Sequence, residues 1–227
     1  MKILVIGEAP HFEECRQKLG AHDYTHFVSH PGAEKIAAQH DLIFDFLISD
    51  IPEAFDIYSH KPVTAFLNTC KITLSELAKA AGQPLPCTLF GFNGFPTLFN
   101  REFLEVSVLT PQDLPVLKKS CQALSTNFLL VDDRVGLVTP RVISMIINEA
   151  YYTVQEGTAT REDIDLAMKL GTNYPYGPFE WCDRMGLRNV YELLRALYED
   201  TKDERYRISA LMKKEYLRHA GQRFRES

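Results

Sequence analysis

The sequence predicts an α/β protein, with a sheet domain built largely of parallel strands over residues 1–133 and an all-helical domain over residues 134–227. Two observations carry this expectation. Up to Asp133, short apolar runs alternate with helical patterns, as they do when strands are joined by crossover helices. From Val135 onward, apolar residues recur at helical spacing instead, and no further run reads as a strand.

Strands are expected at KILVI (2–6), YTHFV (24–28), LIFDFLI (42–48), VTAFL (63–67), TLFGF (88–92), LEVSVL (104–109) and FLLV (128–131). Each is short and rich in β-branched, aromatic or other apolar residues. Helices are expected near 11–19, 31–39, 73–81 and 111–124. In the second domain Val142, Ile143, Ile146, Ile147, Ala150, Tyr151 and Val154 line one face of a long helix. Thr139 is its expected N-cap, Pro140 its first helical residue and Gly157 its stop, following the preference for proline at the start of a helix and glycine past its end. Thr160 and Asp163 form a capping-box pattern before IDLAMKLG,. The Tyr/Pro/Gly-rich stretch NYPYGPFEW is expected to be a loop, followed by helices near 187–200 and 208–219.

Composition narrows the functional classes. With 227 residues, 45% of them hydrophobic, the chain can bury substantial cores,. A net charge of −5 argues against nucleic acid or an anionic membrane surface as partner, since both are held by excess Lys and Arg. The charge is uneven: residues 202–227 carry eight Lys/Arg against four Asp/Glu, leaving 17 against 26 in residues 1–201. Such a basic tail reads as a solvated helix or as a docking element for an acidic group. The five cysteines are scattered without a CxxC pair, which indicates neither a disulfide framework nor a zinc site and fits a reducing cytoplasm. MKILVIGEAP is expected to be a first strand rather than a signal peptide, and no run approaches the length of a membrane span.

A strand ending at Gly7 invites comparison with the dinucleotide-binding turn of Rossmann folds, where three glycines let the backbone approach a pyrophosphate. The glycine positions of that fingerprint hold Gly7, Ala9 and Phe12. Glu8 adds a negative charge where phosphate would lie, and Pro10 has no N–H to donate,. The second strand runs into Val28-Ser29-His30 instead of ending on an acid that would hold the ribose. Gly7 and Ala9 are the remnants of a cofactor site, and NAD is expected to bind with a dissociation constant weaker than about 1 mM.

Residues 135–187, from VGLVTPRVISMIINEAYYTVQ to NYPYGPFEWCDRMGL, and less closely ELLRALYEDTKDERYR, resemble the C-terminal domain of the L-3-hydroxyacyl-CoA dehydrogenases. The match includes Glu149-Ala150, Glu162-Asp163-Ile164-Asp165, Ala167-Met168-Lys169-Leu170-Gly171, Tyr174-Pro175 and Gly177-Pro178-Phe179-Glu180. FLNTCKITLSELA and GFNGFPTLFNREFLEVSV resemble the family's two active-site segments. The resemblance implies a shortened Rossmann-like sheet domain, lacking a helical insertion after the second strand. It implies a helical domain like the C-terminal domain of 6-phosphogluconate dehydrogenase, with NAD as the family's cofactor and acyl-CoA as its ligand. It also implies a homodimer through the helical domain, and the apolar helix near 142–154 is the expected contact.

In this family a histidine takes the substrate hydroxyl's proton, and a glutamate twelve residues later holds the imidazole. Glu105 matches the glutamate, whereas Asn93 stands at the histidine. Cys70 takes the place of a serine that bonds the substrate, and Pro140 that of an asparagine beside the reacting oxygen. Of these four family positions only Glu105 is unchanged. A carboxamide has no basic lone pair near neutral pH, and loss of a general base lowers a rate by about 10²- to 10⁴-fold. Six of the seven histidines lie in the first 60 residues and the seventh is His219. Lone histidines on such segments are expected at the surface or in caps, and a substitute base from among them would need a rearranged sheet. Cys70 as nucleophile would need a cationic partner. Glu105 is readable either as the surviving half of a catalytic dyad or as a structural carboxylate.

Three functional readings follow. The chain is a member of the dehydrogenase family with hydride transfer lost or weakened, serving as an acyl-CoA-binding or regulatory module. Alternatively it is an active NAD-dependent 3-hydroxyacyl-CoA dehydrogenase, or a structural dimerisation partner of an active relative.

Overall fold

The computed structural model describes residues 1–81 and 85–226. The chain divides into two compact units, Met1–Val138 and Thr139–Ser227.

The first unit runs β1 (Lys2–Ile6), α1 (Ala9–Leu19), β2 (Asp23–Phe27), β3 (Leu42–Asp45), α2 (Asp56–Ser59), β4 (Thr64–Asn68), α3 (Leu74–Ala81), β5 (Thr88–Phe92), β6 (Phe103–Val108), α4 (Leu114–Ala123) and β7 (Asn127–Leu130). The strands form a sheet in the order β2-β1-β3-β4-β5-β6-β7. All neighbours pair in parallel except β5 and β6, which are antiparallel. Both faces are covered, as a parallel sheet requires. Ile3, Val5, Phe44, Phe66, Phe90 and Phe92 belong to one core; Leu4, Ile6, Ile43, Ala65, Leu67 and Leu89 belong to the other.

The expected strands all form, with three local departures from the sequence reading. The stretch near 31–39 is two 3-10 turns, Ala33–Lys35 and Ala37–Gln39, rather than an α-helix. Pro31 and the left-handed Gly32 (φ 91°) start the segment off the helical path, and only Ala33 and Ala37 of the two turns are buried. The third strand stops at Asp45 instead of Ile48, because the Asp45 carboxylate accepts the amides of Leu47 and Ile48 at 2.8 and 3.0 Å. Such a side-chain turn diverts backbone donors from the ladder. Finally, residues 52–59, to which the sequence reading assigns no element, hold a 3-10 turn (Pro52–Phe55) and α2.

The segment after β7 is tied to the sheet unit. The Asp133 carboxylate accepts from Leu74 N and Ser75 N, each at 2.9 Å, capping α3. Gly136 N donates to Cys70 O at 2.8 Å, and Val138 N to the Glu105 carboxylate at 3.2 Å.

The second unit is helical, with α5 (Thr139–Gln155), α6 (Arg161–Thr172), α7 (Pro178–Met185), α8 (Leu187–Thr201) and α9 (Ala210–Glu226). Among the described residues it contains no strand. α5 packs against α7, α8 and α9 and buries Ile147, Ala150 and Tyr151 of its expected apolar face, while Ile143, Ile146 and Val154 are half-buried and Val142 is exposed. α6 is N-capped by Thr160, whose side chain accepts from Asp163 N. The stretch NYPYGPFEW, expected to be a loop, contains the start of α7. Its first turn is capped from outside: Asp165 accepts from Phe179 N at 2.8 Å and Glu180 N at 3.2 Å. A Cβ at Gly177 would fall 2.4 Å from the Asp165 side chain, so glycine is what lets that carboxylate reach the helix end. Among the described residues, no helix is long and apolar enough to cross a membrane.

Candidate functional site

Asn68, Cys70 and Asn93 meet beyond the carboxyl ends of β4 and β5. This end of a parallel sheet is where ligands ordinarily bind. All three residues are buried. Asn68 donates to Phe46 O at 3.0 Å, and its carboxamide oxygen accepts from Gly94 N at 3.2 Å and Cys70 N at 3.4 Å. The Cys70 thiol donates to Asn93 Oδ1 at 3.6 Å, and Phe95 N donates to the same oxygen at 3.3 Å. The Asn93 oxygen is therefore engaged by the chain's own donors. Burial, reinforced by the Glu105 carboxylate, pushes the Cys70 thiol up to about 12, so it is not a thiolate nucleophile near neutral pH. Lys71, the neighbouring cation, pairs with Asp50 at 2.5 Å.

Glu105 lies on β6 and is 8% exposed. Its backbone carbonyl accepts from Asn93 N at 3.3 Å, and its carboxylate accepts from Val138 N. The carboxylate thus anchors the chain where it leaves the sheet unit, which is the structural role left open by the sequence. Gly91, two residues before Asn93, is similarly constrained. A side chain there would meet Ser107 Oγ at 2.3 Å and Thr69 Oγ1 at 2.5 Å. Pro140 is buried in the first turn of α5, in the second unit, where its missing N–H removes no helical bond. The sheet unit therefore gathers Cys70, Asn93 and Glu105, while Pro140 belongs to the other unit.

The histidines of the first unit are more organised than their sequence suggests. At the start of α1, Glu8 N donates to His11 Nδ1 at 3.1 Å. The His11 ring stacks on Phe46 with centroids 4.8 Å apart, and burial lowers its pKa. His26 Nε2 lies 2.7 Å from Gly7 O, and its ring stacks on Phe12 at 4.4 Å. His30, expected at the surface or in a cap, is instead buried 2.8 Å from Asp45, which also accepts from Tyr58 OH at 2.8 Å. The sequence signal for this network was Asp45 itself, a lone charge inside the apolar run LIFDFLI, since a buried carboxylate needs partners.

These contacts test the fit of a dinucleotide to the first turn. A Cβ at Gly7 would meet His11 Cβ at 3.0 Å and Phe46 Cβ at 3.2 Å. The room released by this glycine is taken by protein side chains, and Glu8, the N-cap of α1, puts a negative charge beside it. Ala9 and Pro10 open that helix without replacing the absent glycines. The residues present do not fit a pyrophosphate. Among the described residues, no group of three or more His, Cys, Asp or Glu could hold a metal ion.

A parallel-rich sheet unit followed by a helical unit, with a side-chain cluster at the carboxyl edge of the sheet, is the build of a Rossmann-like domain followed by a helical one. Residues 136–224 match the family described as "3-hydroxyacyl-CoA dehydrogenase, C-terminal domain". The match identifies residues 136–224 as a domain of this type. It is 41% identical over 100 residues to 3-hydroxyadipyl-CoA dehydrogenase of Escherichia coli, covering 44% of this chain and 21% of that protein. It is 30% identical over 148 residues to 3-hydroxybutyryl-CoA dehydrogenase of Bradyrhizobium diazoefficiens, covering 65% of this chain and 50% of the relative. The chain spans about half the length of these curated relatives, or less. In fold it resembles (S)-3-hydroxybutyryl-CoA dehydrogenase from Ralstonia eutropha, with a TM-score of 0.68 at 18% identity over 94% of this chain and 92% of that one.

Proposed function

We propose that this chain is a member of the family without hydride transfer, which acts by binding an acyl-CoA or by regulating an active relative. The observation that carries this reading is Asn93, which occupies the base position and whose side-chain oxygen is engaged by Cys70 and Phe95 N. Nothing at this position can accept a proton from a hydroxyl. The first turn adds support, since its glycine space is filled by His11 and Phe46 and NAD is then held weakly. Calorimetric titration with acetoacetyl-CoA tests the binding role: saturable binding without NADH oxidation is the expected result. Absence of binding would remove the acyl-CoA module from the proposal.

One observation favours the further reading of a dimerising partner in the cytoplasm. Helix α6 buries none of its residues, and Leu166 and Leu170 are 54% and 77% exposed on one face, at i, i+4 spacing. These leucines are proposed as a second part of the dimer contact, beside the expected face of α5, where Val142 is 51% exposed. Leu166→Glu with Leu170→Glu should convert a dimer of the 25.9 kDa chain to monomer in light scattering. A wild-type monomer at high micromolar concentration would contradict this contact.

A further inference from the structure

We infer that the crevice at the carboxyl ends of β1, β2 and β3, where an open α/β sheet receives a dinucleotide, is filled and latched by the chain's own side chains. The inference rests on the reading of the protein as a family member without hydride transfer. It assigns a structural cause to the loss of the cofactor, independent of the missing base.

The latch has three parts. At the end of β1, Glu8 opens α1 as its N-cap and its N–H donates to His11 Nδ1. A helix N-terminus attracts an anion because its first amides lack partners; here the N-cap residue Glu8 already places a carboxylate's negative charge at that end of the helix. His11 then turns its ring onto Phe46, just past β3, and fills the space above Gly7. Between β1 and β2, Phe12 stands where the fingerprint's third glycine would be and stacks on His26, while His26 Nε2 reaches Gly7 O. This bond joins the ends of the two strands across which a dinucleotide would lie. Beyond β2, His30 turns inward to Asp45 and Tyr58, so the residue following the strand braces β3 and α2 in place of a ribose. Neighbouring strand ends that a cofactor would bridge are bridged by histidine side chains.

The test is NADH titration, followed by NADH fluorescence, of wild type and of Glu8→Gly/His11→Ala/Phe12→Gly, each checked for native circular dichroism. Wild type should show no saturation up to about 1 mM, while the triple variant should bind at least about tenfold more tightly as the crevice opens. Micromolar binding by wild type, or a folded triple variant with no gain, would overturn the inference. If the triple variant does not fold, hydrogen exchange decides. The Glu8 amide should exchange about five- to tenfold faster in His11→Ala than in wild type, as expected for loss of one hydrogen bond; an unchanged rate would overturn the latch. Loss of acetoacetyl-CoA binding or appearance of turnover would count against the proposed function alone. The crevice is read by NADH affinity and amide exchange, neither of which depends on turnover.

Discussion

The helical unit and the sheet unit have kept different parts of the family pattern. In the helical unit, Asp165 and Gly177-Pro178-Phe179-Glu180 stand where the family has them, and each has a visible mechanical task. Asp165 caps α7, Gly177 makes room for Asp165, and Glu180 accepts from Gly177 N at 2.9 Å and pairs with Lys169 at 2.5 Å. In the sheet unit, the Cys70 thiol donates to Asn93 Oδ1, and Glu105 holds the chain leaving the sheet. The domain match spans residues 136–224 and so falls on the helical unit. Likeness to an enzyme family can therefore be strong where no chemistry is done, and function has to be argued from the site.

The contrast is sharpened most by Gly177→Ala. Its methyl group would collide with Asp165 and disturb the cap it forms, so a stability loss of about 3 kcal/mol is expected. Asp165→Ala should cost about 1 to 2 kcal/mol, the usual value of a helix cap. Urea denaturation measures both, and a loss under about 0.5 kcal/mol in either would break the assignment of the motif to architecture. The site should be more tolerant. Cys70→Ser puts a stronger donor opposite Asn93 Oδ1 and should change stability by less than about 1 kcal/mol.

Much of the fold was legible because it depends on local pattern. The seven strands were readable as short apolar runs, and the α6 start as a Thr160-to-Asp163 capping box. The misread elements depend on partners distant in sequence. α7 begins in a Pro/Gly-rich stretch because Asp165, twelve or more residues earlier, supplies its cap. β3 is cut short by its own Asp45, which is held in turn by His30 and Tyr58. At the site, the substitutions at Asn93 and Cys70 were visible as soon as the family pattern was recognised. The closing of the nucleotide crevice was not, because His11, His26 and His30 acquire meaning only when the sheet order brings β1, β2 and β3 together.

The smallest expected effect is a pH dependence confined to the sheet unit. His11 accepts from Glu8 N through Nδ1, a role open only to the neutral ring. Burial lowers its pKa from the ordinary value, with Glu8 and Asp50 opposing. A neutral ring favoured by folding contributes stability in full above the unfolded value of about 6.5, and this is lost as pH falls toward the folded value. The urea midpoint should therefore fall more steeply below about pH 6.5 in wild type than in His11→Gln. Identical profiles would show that the ring is not held neutral by its surroundings.

The central claim, that hydride transfer has been lost here, is tested most directly by NADH oxidation with acetoacetyl-CoA in wild type and Asn93→His. The account predicts no turnover above background in either. Restoring an imidazole near Glu105 supplies a base, but a hydride carrier must also be held against the substrate, and such positioning is worth about 7 to 11 kcal/mol of barrier. Acetoacetyl-CoA-dependent oxidation by wild type would contradict the account outright. If Asn93→His oxidised NADH and lost that activity on addition of Glu105→Gln, a working cofactor site would have to exist, and both the filled crevice and the loss of hydride transfer would be reduced to one substituted base.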